Sequence, residues 1–403
     1  MKRAPAALLV SLALAAGASG ATGKDAGVTA DSILLGGTAA LSGPESAYYA
    51  PVAKGAQAYF AYVNAHGGVL GRKITYSVVD DAYDPAQTVQ ATRQLVQGDG
   101  VFAVFNSIGT EHMLAVRPYL NAAKVPQLFV GTGARAIFSG RSRYPWTIGY
   151  LPSFYGEGKT YGRYIAAHSP KARVAVLYEN DDYGKDLRDG VKAGFGGKGK
   201  IVATASYELT DTDMSAQIAT LKASHADTLM LFALPKQVIQ AFLAAHKLAW
   251  QPHYFLSAVS IDPFVMNVVG ASAGKKTTEG AISTAFLKVA TDPALAKDPE
   301  ARLYKSIMKN YCAGCDPTAL AHIYGMASAY TMVDALTRAG KNLTRDSLLR
   351  AATHLDEKAN PFLQPGIAIQ TSPTDYLPFE QMRMFRYHNG RWGPFGGLVS
   401  VRP

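Results

Sequence analysis

The sequence predicts an α/β fold in which mostly parallel sheets are flanked by helices and divided between two domains. From Asp31 onward, short runs rich in β-branched and aromatic residues alternate with segments whose apolar residues recur at helical spacing. This alternation occurs in two series, which are separated near the segment "YPWTIGY". The length of 403 residues is also more than one ordinary hydrophobic core requires, so two domains are expected.

In the first series, the strands are predicted in "SILLGGT", "KITYSVVDD", "VFAVFN" and "VPQLFVG". The helices between them are predicted around residues 55–65 and in "DPAQTVQATRQLVQGDG" and "TEHMLAVRPYLNAAK". This assignment leaves Tyr48 and Tyr49 in a long loop, "LSGPESAYYAPVAKG", which follows the first strand. Two adjacent aromatic rings are unusual in a connecting loop, so we expect this loop to have a binding role.

The second series begins with the predicted helix "FYGEGKTYGRYIAAHS" and continues through the strands "RVAVLYEN", "KIVATASYE", "DTLMLFA" and "HYFLSA". Further helices are predicted in "EARLYKSIMKNY", "TALAHIYGMASAYTMVDALTRAG" and "TRDSLLRAA". The C-terminal segment is different, because Asn389-Gly390 favours the positive φ angles of a tight β-hairpin.

The N-terminus is typical of a secretory signal peptide. Lys2 and Arg3 precede a short apolar run and a small-residue segment, which predicts a signal peptide over residues 1–20. Because no cysteine lies near the expected cleavage site, we expect an exported, periplasmic protein without a lipid anchor. Cleavage removes two positive charges and lowers the formal net charge from +10 to +8.

The positive charge is scattered along the chain, so we expect no nucleic-acid partner. The two cysteines, Cys312 and Cys315, have the spacing of a redox pair, of half a zinc site or of a local disulfide. Since no second ligand pair accompanies them and the compartment is oxidising, we expect a structural disulfide that closes a loop.

Searches for catalytic motifs leave no constellation for chemistry. "GFGGKG" precedes a strand, whereas a phosphate-binding turn follows one, and "GASAG" lacks the strand and helix that flank a nucleophile elbow. The chain has no H-E-x-x-H sequence. We therefore expect no enzymatic activity, no metal and no cofactor.

The loops that follow the predicted strands indicate where a ligand binds. In open α/β sheets, ligands bind beyond the carboxyl ends of the strands, where helix N-termini present free N–H groups. "LSGPESAYY", "NSIGT", "VGTGA" and "YENDDYG" all occupy this position. Hydroxyl and N–H groups suit a carboxylate, and tyrosines suit an apolar group, although each of Ser42, Thr110 and Thr132 also fits a simple capping role.

Beyond these features, the chain resembles the type I periplasmic binding proteins of branched-chain amino acid ABC transporters. The resemblance lies in the S-G-P turn, in N-x-x-G-G-x-x-G and in D-D-x-x-D-P, with further support from "NDDYGKDL" and "NGRW". It implies two Rossmann-like lobes that are joined by three crossovers and close on a ligand. The implied crossovers lie near residues 144–150, 279–285 and 355–365. The implied lobes comprise residues 28–147 plus 282–356 and residues 148–281 plus 357–403.

The resemblance also implies the ligand-binding residues. In the family, a tyrosine of the first loop, a carboxylate-binding helix start, a small-residue loop and a tyrosine of the second lobe surround the ligand. A further position after the strand "HYFLSA" holds the acidic partner of the ligand's ammonium group. The matching residues here are Tyr48, Gly109, Thr110, Gly131, Thr132, Gly133, Tyr183 and Val259.

Val259 departs from this pattern, because the family's amino-acid binders have an acidic residue at the aligned position. A buried ammonium group without an acceptor is costly. The ligand is therefore either an acid without an amino group, or an amino acid whose ammonium is held by Asp262 or another acceptor. The sequence leaves both open.

The sequence analysis thus predicts a monomeric periplasmic solute-binding protein that captures a small carboxylate-bearing solute for an ABC permease. The solute classes are hydrophobic amino acids and aromatic or aliphatic acids. The alternatives are a ligand-sensing module that serves a signalling partner and, less well supported, an amidase-like or redox enzyme.

Overall fold

The computed structural model describes residues 25–290 and 292–403, so the predicted signal peptide, residues 1–20, lies outside the described residues. The first sheet is parallel and has the strand order β2-β1-β3-β4-β5. Its strands, numbered in chain order, are β1 (Ser32–Ala39), β2 (Lys73–Asp80), β3 (Ala103–Phe105), β4 (Gln127–Val130) and β5 (Thr147–Gly149).

The second sheet has the strand order β14-β13-β10-β9-β8-β6-β7, in which β13 and β14 are antiparallel to their neighbours. A separate pair, β11 and β12, lies near the junction of the lobes. These strands are β6 (Arg173–Glu179), β7 (Lys200–Tyr207), β8 (Thr228–Phe232), β9 (His253–Leu256), β10 (Ile282–Ala285), β11 (Asp356–Glu357), β12 (Ile369–Gln370), β13 (Gln381–His388) and β14 (Arg391–Ser400).

Helices follow the strands and cover the sheets, so the predicted α/β class is confirmed. The helices are α1 (Ser46–Ala65), α2 (Pro85–Arg93), α3 (Thr110–Ala122), α4 (Arg135–Ser139), α5 (Phe154–His168), α6 (Asp182–Phe195), α7 (Ser215–Ala223), α8 (Pro235–Lys247), α9 (Pro263–Ala273), α10 (Pro299–Tyr311), α11 (Leu320–Ala339) and α12 (Arg345–Ala352).

Helix α1 begins nine residues earlier than the sequence pattern predicts. It starts at Ser46, so Tyr48 and Tyr49 lie in its first turns rather than in a loop. The prediction was misled by Pro51, which lies inside the helix although proline cannot donate the backbone hydrogen bond. The rings are consequently held by helical backbone at the end of β1.

The lobe boundaries differ from the sequence division by a few residues at the first two crossovers and by a longer segment at the third. Gly149 pairs with β4 in the first sheet, and Ile282–Ala285 pairs with β9 and β13 in the second. Residues 357–371 remain beside the first lobe, where Thr371 Oγ1 donates to the carbonyl of Ala352. Short buried strands carry no signal for which of two sheets they join, so the sequence could not locate these boundaries.

The second and third crossovers pair with each other. The backbone N–H of Lys288 donates to the carbonyl of Phe362 at 2.8 Å, and the N–H of Gln364 donates to the carbonyl of Phe286 at 2.8 Å. The first crossover is fixed by Tyr150, whose hydroxyl donates to the carbonyl of Ala327 in α11 at 2.7 Å. The hinge is therefore one connected unit attached to the first lobe.

Glycines allow helices α5 and α6 of the second lobe to pack with their backbones in contact. An ideal Cβ on Gly190 would lie 2.1 Å from the carbonyl oxygen of Tyr155, and one on Gly158 would lie 2.1 Å from that of Leu187. No side chain fits at such distances. This packing fixes the start of α5, which faces the cavity described below.

We expect Gly190→Ala to destabilise the protein, because the added methyl group must push α5 and α6 apart. The expected cost is about 1–3 kcal/mol, as for other overpacked cores. Gly270→Ala is the matched control, since Gly270 is also helical but an added Cβ would meet nothing nearer than 3.9 Å. Thermal unfolding should show a lower Tm for Gly190→Ala alone, and equal Tm values would contradict the packing argument.

Candidate functional site

A cavity of about 390 Å³ lies between the two lobes, beyond the carboxyl ends of the strands. Its wall comes from α1, the starts of α3 and α11, the hinge, and the starts of α5, α6 and α9. Six of the eight residues predicted from the sequence line this cavity: Tyr48, Gly109, Thr110, Gly131, Tyr183 and Val259.

Tyr48 lies at the contact between the lobes. Its ring meets the ring of Phe264, in the first turn of α9, edge to face at a centroid distance of 6.1 Å. The loop before α1 is held by Asp80, whose Oδ1 accepts hydrogen bonds from the backbone N–H groups of Leu41 and Ser42. Because burial raises the pKa of Tyr48 to about 12, its hydroxyl stays protonated at physiological pH.

Tyr83 is a cavity residue that the sequence analysis missed. Its ring stacks on that of Tyr49 with centroids 4.8 Å apart and planes 8° apart. Tyr83 has a φ of 59°, and its backbone N–H donates to Oδ1 of Asp81, so the D-D-x-x-D-P motif places this ring. The sequence signal that could have identified Tyr83 is a tyrosine within a turn motif that directly follows a strand.

The start of α3 provides hydrogen-bond donors to the cavity. Gly109 precedes the helix with a φ of 108°, a conformation that other residues rarely adopt. Within residues 25–290 and 292–403, no side chain caps this end, and the first N–H groups of a helix have no acceptor within it. The free N–H groups and the helix dipole together suit an anion.

Thr132 and Gly133 do not line the cavity but support the residues that do. Thr132 is fully buried, and its Oγ1 lies 2.9 Å from Oγ1 of Thr110. Gly133 contacts the hinge so closely that an added Cβ would lie 2.0 Å from the carbonyl oxygen of Pro152. The two residues therefore position Thr110 and connect this loop with the start of α5.

Tyr183 and Val259 form part of the wall from the second lobe. Tyr183 is buried in the first turn of α6, and its hydroxyl donates to the carbonyl of Ala233 at 3.3 Å. Its ring packs edge to face on Phe154, with centroids 4.8 Å apart. Val259 lies in the short 3₁₀ turn Ala258–Ser260 and presents an apolar side chain.

Three buried carboxyl groups of the second lobe, Glu157, Glu179 and Asp181, also line the cavity, together with the half-buried Asp262. Burial raises the pKa of Glu157 and of Asp181 to about 7. Burial and the charge of Asp181 raise the pKa of Glu179 well above its ordinary range. The wall of this lobe therefore changes charge near neutral pH.

Direct polar contacts join the lobes on both sides of the cavity. Asp262 caps α9 with Oδ1, and its Oδ2 accepts the backbone N–H of Leu320 at the start of α11 at 2.9 Å. On the other side, the backbone N–H and the Nε of Arg135 donate to the two oxygens of Asp186 at 2.7 and 2.6 Å. The lobes are therefore closed over the cavity.

The Cys312–Cys315 disulfide predicted from the sequence is present. Its loop lies between α10 and α11 and supplies Gly314, Cys315 and Asp316 to the cavity wall. The disulfide thus fixes a loop of the binding cleft, a placement that the cysteine spacing did not reveal.

The family model described as "Periplasmic binding protein" matches residues 32–391 of the chain. The chain belongs to the periplasmic binding protein family. Leu/Ile/Val-binding protein homolog 2 of Brucella abortus is 28% identical over 342 residues, which cover 82% of this chain and 83% of that protein. Leu/Ile/Val-binding protein homolog 3 of Brucella melitensis is 30% identical over 223 residues, which cover 55% of this chain and 58% of that protein.

Solved structures share the fold of this family member. A fatty acid ABC transporter substrate-binding protein from Thermomonospora curvata has a TM-score of 0.77 and 21% identity, covering 94% of this chain and 95% of that one. A branched chain amino acid ABC transporter from Thermus thermophilus with bound valine has a TM-score of 0.79 and 18% identity, covering 92% and 96%. Among the described residues, no helix has both the length and the apolar character needed to cross a bilayer.

We expect the Arg135–Asp186 pair to stabilise the closed protein more than an ordinary surface pair does. In a double-mutant cycle of alanine variants, we expect a coupling of about 1–2 kcal/mol, because charged hydrogen bonds to a buried carboxylate are strong. The control is Arg338–Asp334, an exposed pair one helical turn apart, with an expected coupling of about 0.3–0.5 kcal/mol. Urea unfolding measures both, and equal couplings would contradict this assignment.

Proposed function

We propose that the chain is the substrate-binding protein of an ABC importer and captures a small carboxylate-bearing solute between its lobes. The observation that carries this proposal is the uncapped start of α3, which opens into a cavity enclosed by both lobes. Thr110 would bind the carboxylate through its backbone N–H group and its hydroxyl. Gly109 and Gly131, whose own N–H groups donate to the carbonyls of Gly131 and Ser107, would let the carboxylate approach the helix start closely. The cavity volume lies in the range typical of small-molecule sites.

The aromatic side chains around the cavity suit an apolar ligand body. Tyr48, Tyr49, Tyr83, Phe154 and Tyr183 all line it. The names of similar proteins agree with this chemistry, since branched-chain amino acids and fatty acids both combine a carboxylate with an apolar chain. In this proposal, closure of the lobes excludes water from the ligand and provides the affinity.

The remaining parts of the proposal follow from membership in a periplasmic binding protein family. The protein would act in the periplasm as a monomer and deliver its ligand to a membrane permease. It would catalyse no reaction and need no cofactor. A screen of Tm against hydrophobic amino acids and amino-group-free acids tests the ligand class, since a ligand at 100 times its Kd stabilises the folded state by about 2.7 kcal/mol. If no acid in either panel raises the Tm, the proposal is wrong.

We expect Tyr48→Ala and Tyr183→Ala each to weaken binding of the best acid from that screen by about tenfold or more, which corresponds to about 1.4 kcal/mol. Each change removes a large apolar contact from the cavity wall. Isothermal titration calorimetry measures the Kd.

Ser272→Ala is the control, because Ser272 is an exposed residue of α9 that does not line the cavity. Tyr183→Phe keeps the buried ring and removes only the hydroxyl. It therefore distinguishes the contribution of each group in a variant that preserves the packing of the site. Unchanged affinity in both alanine variants would contradict the assignment of these tyrosines.

A further inference from the structure

Glu157 is a buried carboxyl group in the wall of the cavity. It lies in the first turn of α5 and is 2% exposed. Its Oε1 lies 2.7 Å from the backbone N–H donor of Ala258, 3.2 Å from Oγ1 of Thr284 and 2.7 Å from the hydroxyl of Tyr161. Within the described residues, no hydrogen bond reaches its second oxygen, Oε2. One oxygen thus holds the carboxyl group in place, and the other is left for a partner in the cavity.

The other carboxyl groups of this wall hold backbone N–H groups or interact with one another's charge. Both oxygens of Asp262 accept backbone N–H groups, and Oδ1 of Asp181 caps α6 through the N–H of Gly184. Glu179 accepts the Tyr207 hydroxyl and lies close enough to Asp181 for their charges to interact. Burial raises the pKa of Glu157, but the hydrogen bonds from Tyr161, Ala258 and Thr284 act in the opposite direction and favour its ionised form.

The start of α5, which carries Glu157, packs against the loop that supports the proposed carboxylate site. The loop that ends at Gly133 packs on the start of α5, where the N–H of Phe154 donates to the carbonyl of Gly133 at 3.0 Å. Phe154 and Glu157 are three residues apart on one helix face, and both line the cavity. An α-amino group sits on the carbon that bears the carboxylate, so its acceptor must lie beside the carboxylate site.

We propose that Oε2 of Glu157 binds the protonated amino group of the ligand, so that Glu157 makes this protein a receptor for apolar α-amino acids. The acceptor of the ammonium group is then a residue of α5. The position of Val259, which is acidic in the family's amino-acid binders, therefore does not need to carry a charge. This inference rests on the proposed function and selects one of its two solute classes. It predicts that the protein discriminates against the same acid without its amino group.

The test compares L-leucine with 4-methylpentanoate, which has the same carbon skeleton without the amino group, in the wild type and in Glu157→Gln. The glutamine keeps an oxygen for the three donors but presents an NH₂ group where Oε2 was. We expect the Kd of leucine to rise about 30-fold or more, since removal of one partner of a buried charge pair costs at least that much. The Kd of 4-methylpentanoate should change less than about threefold.

A pH profile gives a second readout that a structural role would not produce. Burial raises the pKa of Glu157 to about 7, and only the ionised carboxylate attracts an ammonium group. The Kd of leucine should therefore rise about tenfold between pH 8 and pH 6 in the wild type. The cavity wall also holds other ionisable groups, so the profile of Glu157→Gln must be subtracted. These groups are Tyr48, Tyr49, Lys54, Tyr83, Glu179, Asp181, Tyr183, Asp262, Asp316, His322 and Tyr324, and Tyr161 packs against Glu157 from its own helix.

Glu357→Gln is the matched control, because Glu357 is a buried carboxyl group whose pKa burial also raises to about 7, but it does not line the cavity. It should keep the preference for leucine, and loss of that preference in this variant instead would overturn the proposal. The proposal would also be overturned if Glu157→Gln lost affinity for both ligands equally, or if the wild type bound both ligands with equal affinity. If 4-methylpentanoate alone binds the wild type, the proposed function stands and this inference fails. If neither acid binds, both fail.

Discussion

The arrangement of the binding cleft depends on the unpaired N–H groups at the start of α3. A helix end inside a closed protein needs an acceptor, and no side chain of the described residues caps this one. Gly109 produces this geometry, since its positive φ turns the chain from β3 into the helix and an added Cβ would lie 2.2 Å from the His112 ring. The buried Thr110–Thr132 pair fixes the hydroxyl beside these donors. A ligand oxygen would supply the missing acceptor.

Closure of the lobes also depends on hydrogen-bond acceptors for buried donors. Asp262 and Asp186 each accept hydrogen bonds from the opposite lobe, so polar groups that closure buries gain partners. Arg135 follows the loop of Gly131–Gly133 directly, and its guanidinium also lies over the Tyr155 ring of α5 at 4.3 Å. The residues that support the proposed carboxylate site therefore also contact the opposite lobe. A ligand bound at the start of α3 would stabilise the same loop that holds the lobes together.

The sequence predicted the alternating elements, the Asn389-Gly390 hairpin, the disulfide and six of the residues that line the cavity. These predictions succeeded because strand-helix alternation and the position of loops after parallel strands are local signals. Tyr83 and Glu157 were missed because their roles depend on distant partners. Tyr83 needs the ring of Tyr49, and Glu157 needs Ala258 and Thr284, which lie more than 100 residues away along the chain. Which lobe each hinge strand joins is likewise a property of the assembled sheets.

The most direct test of this account removes the ligand's charge while keeping its shape. Titration calorimetry at pH 7.5 would compare L-leucine with L-leucinamide, and 4-methylpentanoate with 4-methylpentanamide. If the start of α3 binds a carboxylate, each amide should bind about 30-fold more weakly than its acid or worse, because a charge-assisted interaction in a closed site is lost. Equal affinities of acid and amide, or no binding of any of the four, would contradict the assignment of α3 as the anion site.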